Sequence, residues 1–482
     1  MTDLTDIVKA YDVRGLVGKQ FDAATAWTLG AAFAEEVARD PGTTRVAVGY
    51  DMRPSSPELA GAFARGVASR GLDVVVIGLA STDGLYYASG SLAAPGAMFT
   101  ASHNPAAYNG IKMCRAGARP IGQDTGLARI RDRAQELLDA KAEQSEPAPA
   151  APGAVTEQDL LHGYAEHLRS LVDLVGIRPL TVVVDAGNGM AGLTTPAVLG
   201  TAAGLPELPL QIVPLYFELD GTFPNHEANP LEPENLRDLQ AKVVEVGADA
   251  GLAFDGDADR CFVVDERGLP VTPSAVTGLV ARREIAKERA AGREATVIHN
   301  LISSRSVPEV ILEAGGTPVR TRVGHSFIKA EMAEHDAVFG GEHSAHYYFR
   351  DFWFADTGML AALHVLAALG EQPRPLSDLA AAYQPYCASG EINSRVADVA
   401  AATARVEAAF TDRPGVEVDR LDGLTVTHAG SPAGSGDGAA PMWWFNLRPS
   451  NTEPLLRLNA EAADAATMAA LRDEVLALVR EA

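Results

Sequence analysis

Cysteine is scarce. Three in 482 residues (Cys114, Cys261 and Cys387) lie far apart with no ligand-like spacing, which argues against a disulfide framework and suits a reducing compartment. Positive charge is also short: 40 Lys and Arg face 63 Asp and Glu, for a formal net charge of -23. Nucleic acid and anionic membranes need a basic face, so neither is expected as a partner. An anionic substrate would need a local positive island within this acidic body. Long apolar runs are missing too. The most apolar helix-like run, Gly358 to Gly370, is too short to span a bilayer. The first residues carry Asp3, Asp6 and Lys9 with no apolar stretch, so no signal peptide is expected and the cytoplasm is the expected location.

What is present is globular: 47% of residues are hydrophobic and 21% charged. The length exceeds one ordinary core and implies three or four domains. Strand-like and helix-like segments alternate through residues 1–150, with a strand at 45–50, a helix at 56–70 and strands at 73–77 and 97–99. A Pro/Ala/Glu/Gln-rich linker spans 141–155 and a helix is expected over 156–174. The alternation returns in 151–269 and 270–370, which read as three related α/β units. Residues 371–482 change character: short alternating strands and a terminal amphipathic helix form a smaller antiparallel α+β domain, with a Gly/Ser/Pro loop at 431–441. The fold class is therefore α/β with four domains.

Four stretches carry candidate chemistry. The first is Thr100-Ala-Ser102-His-Asn-Pro105 followed by Tyr108-Asn-Gly-Ile-Lys112, a buried strand opening into a polar loop that presents one hydroxyl. Carboxyl ends of strands are where chemistry collects in α/β sheets, although a loop serine is ordinarily a turn or cap residue. The second is Asp255-Gly-Asp257-Ala-Asp259-Arg260, three carboxylates on a tight loop that suit one hard cation, Mg²⁺ or Ca²⁺. A calcium-binding EF-hand loop is disfavoured, because Arg260 stands where that loop needs glycine and the flanks are strands. An aspartyl-nucleophile phosphatase stays open as a rival, since it too uses an Asp-x-Asp loop after a strand.

Glu342-His-Ser344-Ala-His346 follows the strand-like 337–339. If extended, it points Glu342, Ser344 and His346 the same way, a row suited to sugar hydroxyls. Arg448-Pro-Ser450-Asn451-Thr452 with Arg457 offers two arginine forks and small donors, a cradle for an anion. Gly324-His325 resembles a further strand-end loop. Tyr11-Asp-Val-Arg14 and Tyr50-Asp-Met-Arg53 each place an arginine just beyond an apolar segment, and with Lys112 they would supply the positive island.

Taken together and in this order, the four stretches resemble the α-D-phosphohexomutases, in particular the bacterial phosphomannomutase/phosphoglucomutase branch. The resemblance covers nearly the whole chain. It implies three α/β domains with mixed sheets and a fourth, TATA-box-binding-protein-like α+β domain around a central cleft. It implies that Ser102 is a phosphoserine and that Asp255, Asp257 and Asp259, with its phosphoryl oxygen, hold Mg²⁺. Arg14, Lys112, Arg260, His325 and His346 would line the transfer site, with Lys112 and His346 moving protons and stabilising charge. Tyr11, Glu342, Ser344, Arg448, Ser450, Asn451, Thr452 and Arg457 would bind substrate.

The implied reaction interconverts mannose or glucose 6- and 1-phosphates through a 1,6-bisphosphate that turns over in the cleft, with glucose or mannose 1,6-bisphosphate as activator. The resemblance further implies small-molecule hexose phosphates as partners and a monomer or weak homodimer. The alternatives are a phosphoglucosamine mutase, a sugar-phosphate hydrolase using the Asp255 loop, and a silent sugar-phosphate binder. Three departures stand out: Ala345 replaces a glycine common in relatives, a lysine often found near Asn300-Leu-Ile302 is missing, and His343 is unusual beside Glu342.

Overall fold

The computed structural model describes residues 3–142, 151–430, 440–449 and 455–481. The linker segment 143–150, the loop segment 431–439 and Ser450, Asn451 and Thr452 lie outside the described residues. Four sheets follow one another along the chain. In the first, Arg45–Tyr50, Asp73–Leu79 and Gly96–Phe99 run parallel, as expected for buried Val/Ile/Ala-rich strands. Tyr108–Arg115 then turns back antiparallel to Gly96–Phe99 and pairs with Val13–Leu16.

The second sheet repeats the plan. Leu180–Asp185, Leu210–Leu215 and Ala250–Phe254 are parallel, and Cys261–Asp265 folds back on Ala250–Phe254. In the third, Thr296–Asn300, Thr317–Thr321 and Phe339–Gly341 are parallel, and Tyr347–Phe349 folds back on Phe339–Gly341. The expected threefold repeat is thus a repeat of topology: parallel strands, then strands that fold back antiparallel.

The helix expected over 156–174 is corrected at its start. Val155–Glu157 is a strand that pairs parallel to Asp73–Leu79 and extends the first sheet, and the helix is Leu161–Leu171. Val155 and Thr156 are β-branched, and an open sheet edge outweighed the weak helical pattern there.

The fourth sheet is wholly antiparallel, in the order Cys387–Arg395, Leu455–Ala462, Trp443–Pro449, Leu424–His428, Val416–Asp419. One face buries Phe445, Leu447, Leu456 and Leu458 against the helices Val399–Phe410 and Ala465–Arg480, leaving the other face polar. Cys387–Arg395 and Val399–Phe410 had no expectation from sequence. The former lacks apolar alternation and is a strand only because Leu455–Ala462 pairs with it. Among the described residues no helix is long and apolar enough to cross a membrane, and all three cysteines are free.

The first three units are tied at one buried carboxylate. Asp83, in the helix Thr82–Ser91, accepts hydrogen bonds from Tyr164 of the second unit (2.8 Å), from Thr357 of the third (2.6 Å) and from its neighbour Ser81. Burial outweighs these donors and raises the Asp83 pKa to about 6 from the ordinary 3.8. Because the folded value is the higher one, the proton-linked stabilisation is complete below about pH 4 and lost as the pH rises through about 6. Asp83→Asn should therefore gain about 2 kcal/mol relative to the wild type between pH 4 and pH 7. Urea unfolding of both proteins at the two pH values measures it, and a pH-independent difference would refute the linkage.

Candidate active site

The turns of the three equivalent hairpins carry the candidate loops: 100–107 with Ser102, 255–260 with the three aspartates, and 342–346 with Glu342 and His346. Each sits at the carboxyl end of a buried parallel strand. The loops touch one another. Arg260 and His346 form an isolated antiparallel bridge, and Thr82 N–H donates to the Asp257 carbonyl at 3.0 Å. Gly256 packs so closely on the serine loop that a Cβ there would lie 2.4 Å from the Ser102 carbonyl oxygen.

Ser102 holds a left-handed backbone, φ +49°, which a non-glycine residue adopts only under constraint. The constraint is Arg53. Its fully buried guanidinium donates to four carbonyls of the loop: Ser102 (2.9 Å), Asn104 (2.7 Å), Pro105 (3.0 Å) and Tyr108 (3.0 Å). Its Nε donates to Asp51 at 3.2 Å. Asn109 adds an anchor, donating to Ser55 and Ser56, both at 2.8 Å. Arg53 thus does not join the positive island expected from the sequence, because its Nη donors are spent on backbone carbonyls of the serine segment and its Nε on Asp51. The Asp-x-Arg pattern after a strand was visible, but nothing local says that its fork would turn inward.

The Ser102 hydroxyl donates to Asp255 Oδ2 at 2.8 Å and lies 3.2 Å from His103 Nδ1 and 3.4 Å from Arg260 Nη2. Arg260 also donates to Asp255 through Nε at 2.9 Å. Lys112, on the returning strand of the first hairpin, reaches across to Asp257 at 2.7 Å and also donates to Asp259. Thr82, which the sequence reading missed, donates to the same Asp257 oxygen at 2.6 Å. Arg14 donates to the Ala101 carbonyl at 3.0 Å and to the Asn104 side chain. The island is therefore Arg14, Lys112 and Arg260.

Charge in this buried place is strongly biased. Burial raises the Asp255 pKa to about 7, against the pull of Arg260. Asp257 goes the other way: Lys112 overcomes burial and holds it ionised, well below the usual range. Lys112 is raised in turn by Asp257 and Asp259, which outweigh its desolvation. Burial, helped by Arg260, lowers the His103 pKa to about 2, so its ring stays neutral. Desolvation, helped by Lys329, lowers His325 to about 3.

The carboxylates of the aspartate loop fit the expected metal. Oxygens of Asp255, Asp257 and Asp259 all lie within 4.8 Å of one another. Asp257 Oδ1 and Asp259 Oδ1 are buried with no hydrogen-bond partner among the described residues. Unpaired buried oxygens of an all-carboxylate set fit a hard dication.

Ser102, Tyr11, Arg14, Lys112, Asp259, Arg260, His325 and His346 line one cleft with about 140 Å³ of free volume. Tyr11 meets His325 edge-on, with ring centres 4.7 Å apart. The extended row expected for 342–346 is corrected: the segment is a turn, and Ala345 sits at φ +65°. A left-handed position is one that glycine adopts without steric cost, in keeping with the glycine that the resemblance implies there. The turn still joins the three side chains, with Ser344 Oγ 3.0 Å from His346 Nδ1 and His346 Nδ1 3.7 Å from Glu342. Glu342 accepts from Tyr348 (2.7 Å), Gly324 N–H (3.2 Å) and Asn300 (3.4 Å). Arg448 and Arg457 stand apart on the fourth sheet, both bonded to Glu391, a residue the sequence reading did not single out.

Removing Arg53 would strand the Asp51 carboxylate and four carbonyls in the interior. Arg53→Ala should cost about 3–5 kcal/mol of unfolding free energy. Arg53→Lys, which keeps the charge but not the fork, should cost roughly half of that. A loss below about 1 kcal/mol for Arg53→Ala in urea titration would mean that the loop holds its own shape.

Comparison with known proteins agrees with this geometry. Four models of the phosphoglucomutase/phosphomannomutase family match in order: alpha/beta/alpha domain I at residues 5–140, domain II at 162–268, domain III at 272–386 and the C-terminal domain at 391–478. The chain is 40% identical to a phosphomannomutase of Salmonella montevideo over 483 residues, covering 99% of this chain and 100% of the relative. It is 41% identical to a phosphohexose mutase of Xanthomonas campestris pv. campestris, covering 98% of each. The crystal structure of a phosphoglucomutase/phosphomannomutase family protein from Burkholderia thailandensis superposes with a TM-score of 0.84 at 31% identity, covering 100% of this chain and 98% of that one. With a hydroxyl, an acidic triad and a cationic wall brought together by hairpins that these domain models span, the chain belongs to the phosphoglucomutase/phosphomannomutase family of α-D-phosphohexomutases.

Proposed function

We propose that this protein interconverts hexose 6-phosphates and hexose 1-phosphates, those of mannose or glucose, by lending a phosphoryl group from Ser102 and taking another back. The observation that carries this reading is the Ser102 hydroxyl, 2.8 Å from Asp255, at the meeting point of three loops and beside Arg260. Phosphoryl transfer requires positioning and neutralisation of charge on the equatorial oxygens more than covalent assistance, and this site offers both.

In this reading phospho-Ser102 donates to the free hydroxyl of the sugar phosphate. The bond from phosphorus to the Ser102 oxygen breaks and that oxygen takes up a proton to become a hydroxyl, the bond to the sugar oxygen forms, and the sugar hydroxyl proton leaves to a base. His346 takes that role, while Arg14, Lys112 and Arg260 balance the phosphoryl charge and His325 and Tyr11 close the wall. Glu342 and Ser344 take the sugar hydroxyls. Arg448 and Arg457, with Ser450, Asn451 and Thr452, take the phosphate that does not react.

The resulting 1,6-bisphosphate reorients and returns its other phosphoryl group to Ser102. Added glucose or mannose 1,6-bisphosphate would phosphorylate an empty Ser102 and so activate the enzyme. Asp255, Asp257, Asp259 and an oxygen on Ser102 would hold Mg²⁺, which when bound supplies positive charge to the phosphoryl oxygens. The working division is then a serine unit (1–150), a metal unit (151–269), a sugar unit (270–370) and a phosphate unit (371–482).

Peptide mapping of the purified protein should find phosphate on Ser102, and Ser102→Ala should lose about 10⁴-fold or more in turnover of glucose or mannose 6-phosphate. A hydrolase built on the Asp255 loop would behave in reverse, surviving Ser102→Ala and failing with Asp255→Asn. Preferential turnover of the amino-sugar phosphate in a coupled assay would favour the phosphoglucosamine alternative. Ligand binding without any turnover would favour the silent binder.

A further inference from the structure

The polar face of the fourth sheet carries an arrangement that none of these roles explains. Arg448 and Arg457 are directly opposite each other on paired strands, so their like charges share one spot on that face. Side chains directly across an antiparallel pair sit about 5 Å apart at Cβ, where two unshielded guanidinium groups repel. Glu391 lies one row along on the adjoining strand, opposite Asn459, and reaches both arginines. Arg448 Nη2 donates to its Oε2 at 3.3 Å, and Arg457 Nη1 donates to its Oε1 at 3.1 Å. Each oxygen of one carboxylate therefore takes one fork.

Among the described residues both forks are incompletely used: Arg448 Nε and Arg457 Nε are buried with no hydrogen-bond partner there. The pair's contacts among those residues set two arginines against one carboxylate, which leaves that set a net positive charge able to take an anion. The Glu391 side chain is 27% exposed, and Arg448 and Arg457 are 13% and 32% exposed. The cluster thus lies at the surface of the sheet and not in its core. His343, the residue unusual beside Glu342, lies close enough to feel the charges of Glu391 and Arg448, which joins this face to the sugar loop.

We propose that Glu391 is the positioning residue of the phosphate cradle: it pins Arg448 and Arg457 together so that a sugar phosphate meets two arginines already gathered. This rests on the reading of Arg448 as a phosphate contact. Without Glu391 the two arginines separate, and each substrate must bring them together at the expense of its own binding energy. The effect belongs to binding, not to the phosphoryl transfer at Ser102, because Glu391 touches neither Ser102 nor the aspartate loop.

Steady-state kinetics on the full-length enzyme with glucose 6-phosphate, or mannose 6-phosphate if that is the faster substrate, test this with Glu391→Ala, Glu391→Gln, Arg448→Ala and the double variant Glu391→Ala/Arg448→Ala. Glu391→Ala should raise KM about tenfold with kcat falling less than about threefold, the scale of one charge-assisted contact. Glu391→Gln, which keeps an acceptor for one arginine, should fall between. The double variant should bind no worse than Arg448→Ala alone, because Glu391 acts through the arginines.

If Arg448→Ala raises KM and neither Glu391 variant does, the positioning role is wrong and the cradle stands. If Arg448→Ala leaves KM unchanged, the cradle reading fails and takes this inference with it. A lowered KM in Glu391→Ala would make Glu391 a competitor of phosphate, and a collapse of kcat at constant KM would place it in the chemistry; either overturns the proposal. Should Glu391→Ala fail to fold, the isosteric Glu391→Gln carries the same comparison.

Discussion

Three carboxylates held within 4.8 Å of one another, all buried, in a chain of net charge -23 set the constraint on which the rest of the structure depends. Buried charges are costly unless answered by opposite charge and hydrogen bonds. One answer comes from elsewhere in the fold and one from the loop itself. Lys112 arrives from the first sheet to meet Asp257 and Asp259, while Arg260 folds back on Asp255 from within the loop. Neither sheet presents a complete site alone. The aspartate loop without Lys112 is a cluster of repelling anions, and the serine loop without Asp255 presents a hydroxyl with no acceptor across from it.

That mutual dependence explains the economy of the architecture. Each of the first three sheets ends its parallel run in an antiparallel hairpin, and the turn of that hairpin is where the side chains of interest lie. The docking of the turns is governed by absent side chains as much as by present ones. A Cβ at Gly256 would strike the Ser102 carbonyl, and one at Gly358 would lie 2.6 Å from the Arg260 carbonyl carbon. Asp83 binds the three units together through hydroxyls of Tyr164 and Thr357, so the distances between loops are set by the same buried contacts that hold the units to one another.

The fourth sheet solves a different problem. The alternation of its paired strands Trp443–Pro449 and Leu455–Ala462 commits one face to two helices and sets Arg448, Arg457 and Asn459 on the other. Arg448, Arg457, Asn459 and Glu391 follow from that alternation and from the pairing register. The Glu391 strand, Cys387–Arg395, has no apolar period of its own. Its partner strand makes it one, and the ion pairs follow.

Read along the chain, most of the parallel strands, the long helices and the four chemistry-bearing stretches were legible, because buried strands are apolar and loops are not. Ser102, the aspartate triad, Arg260 and His346 could be singled out from residue type and position after a strand, and Lys112 as a cation in the stretch that follows Ser102. The helix expected over 156–174 was displaced by an edge strand, and the row expected at 342–346 became a turn, since both depend on what lies alongside and not on the local pattern. Arg53, Thr82 and Glu391 show the same limit more sharply. An arginine in a polar loop and a glutamate in a featureless segment carry no mark of where their side chains end. Residue types along the chain settle which groups can bear charge, donate protons or turn a corner. Which of those groups meet is settled by packing, because a buried charge takes its partner from whatever the packed sheets bring within about 3 Å.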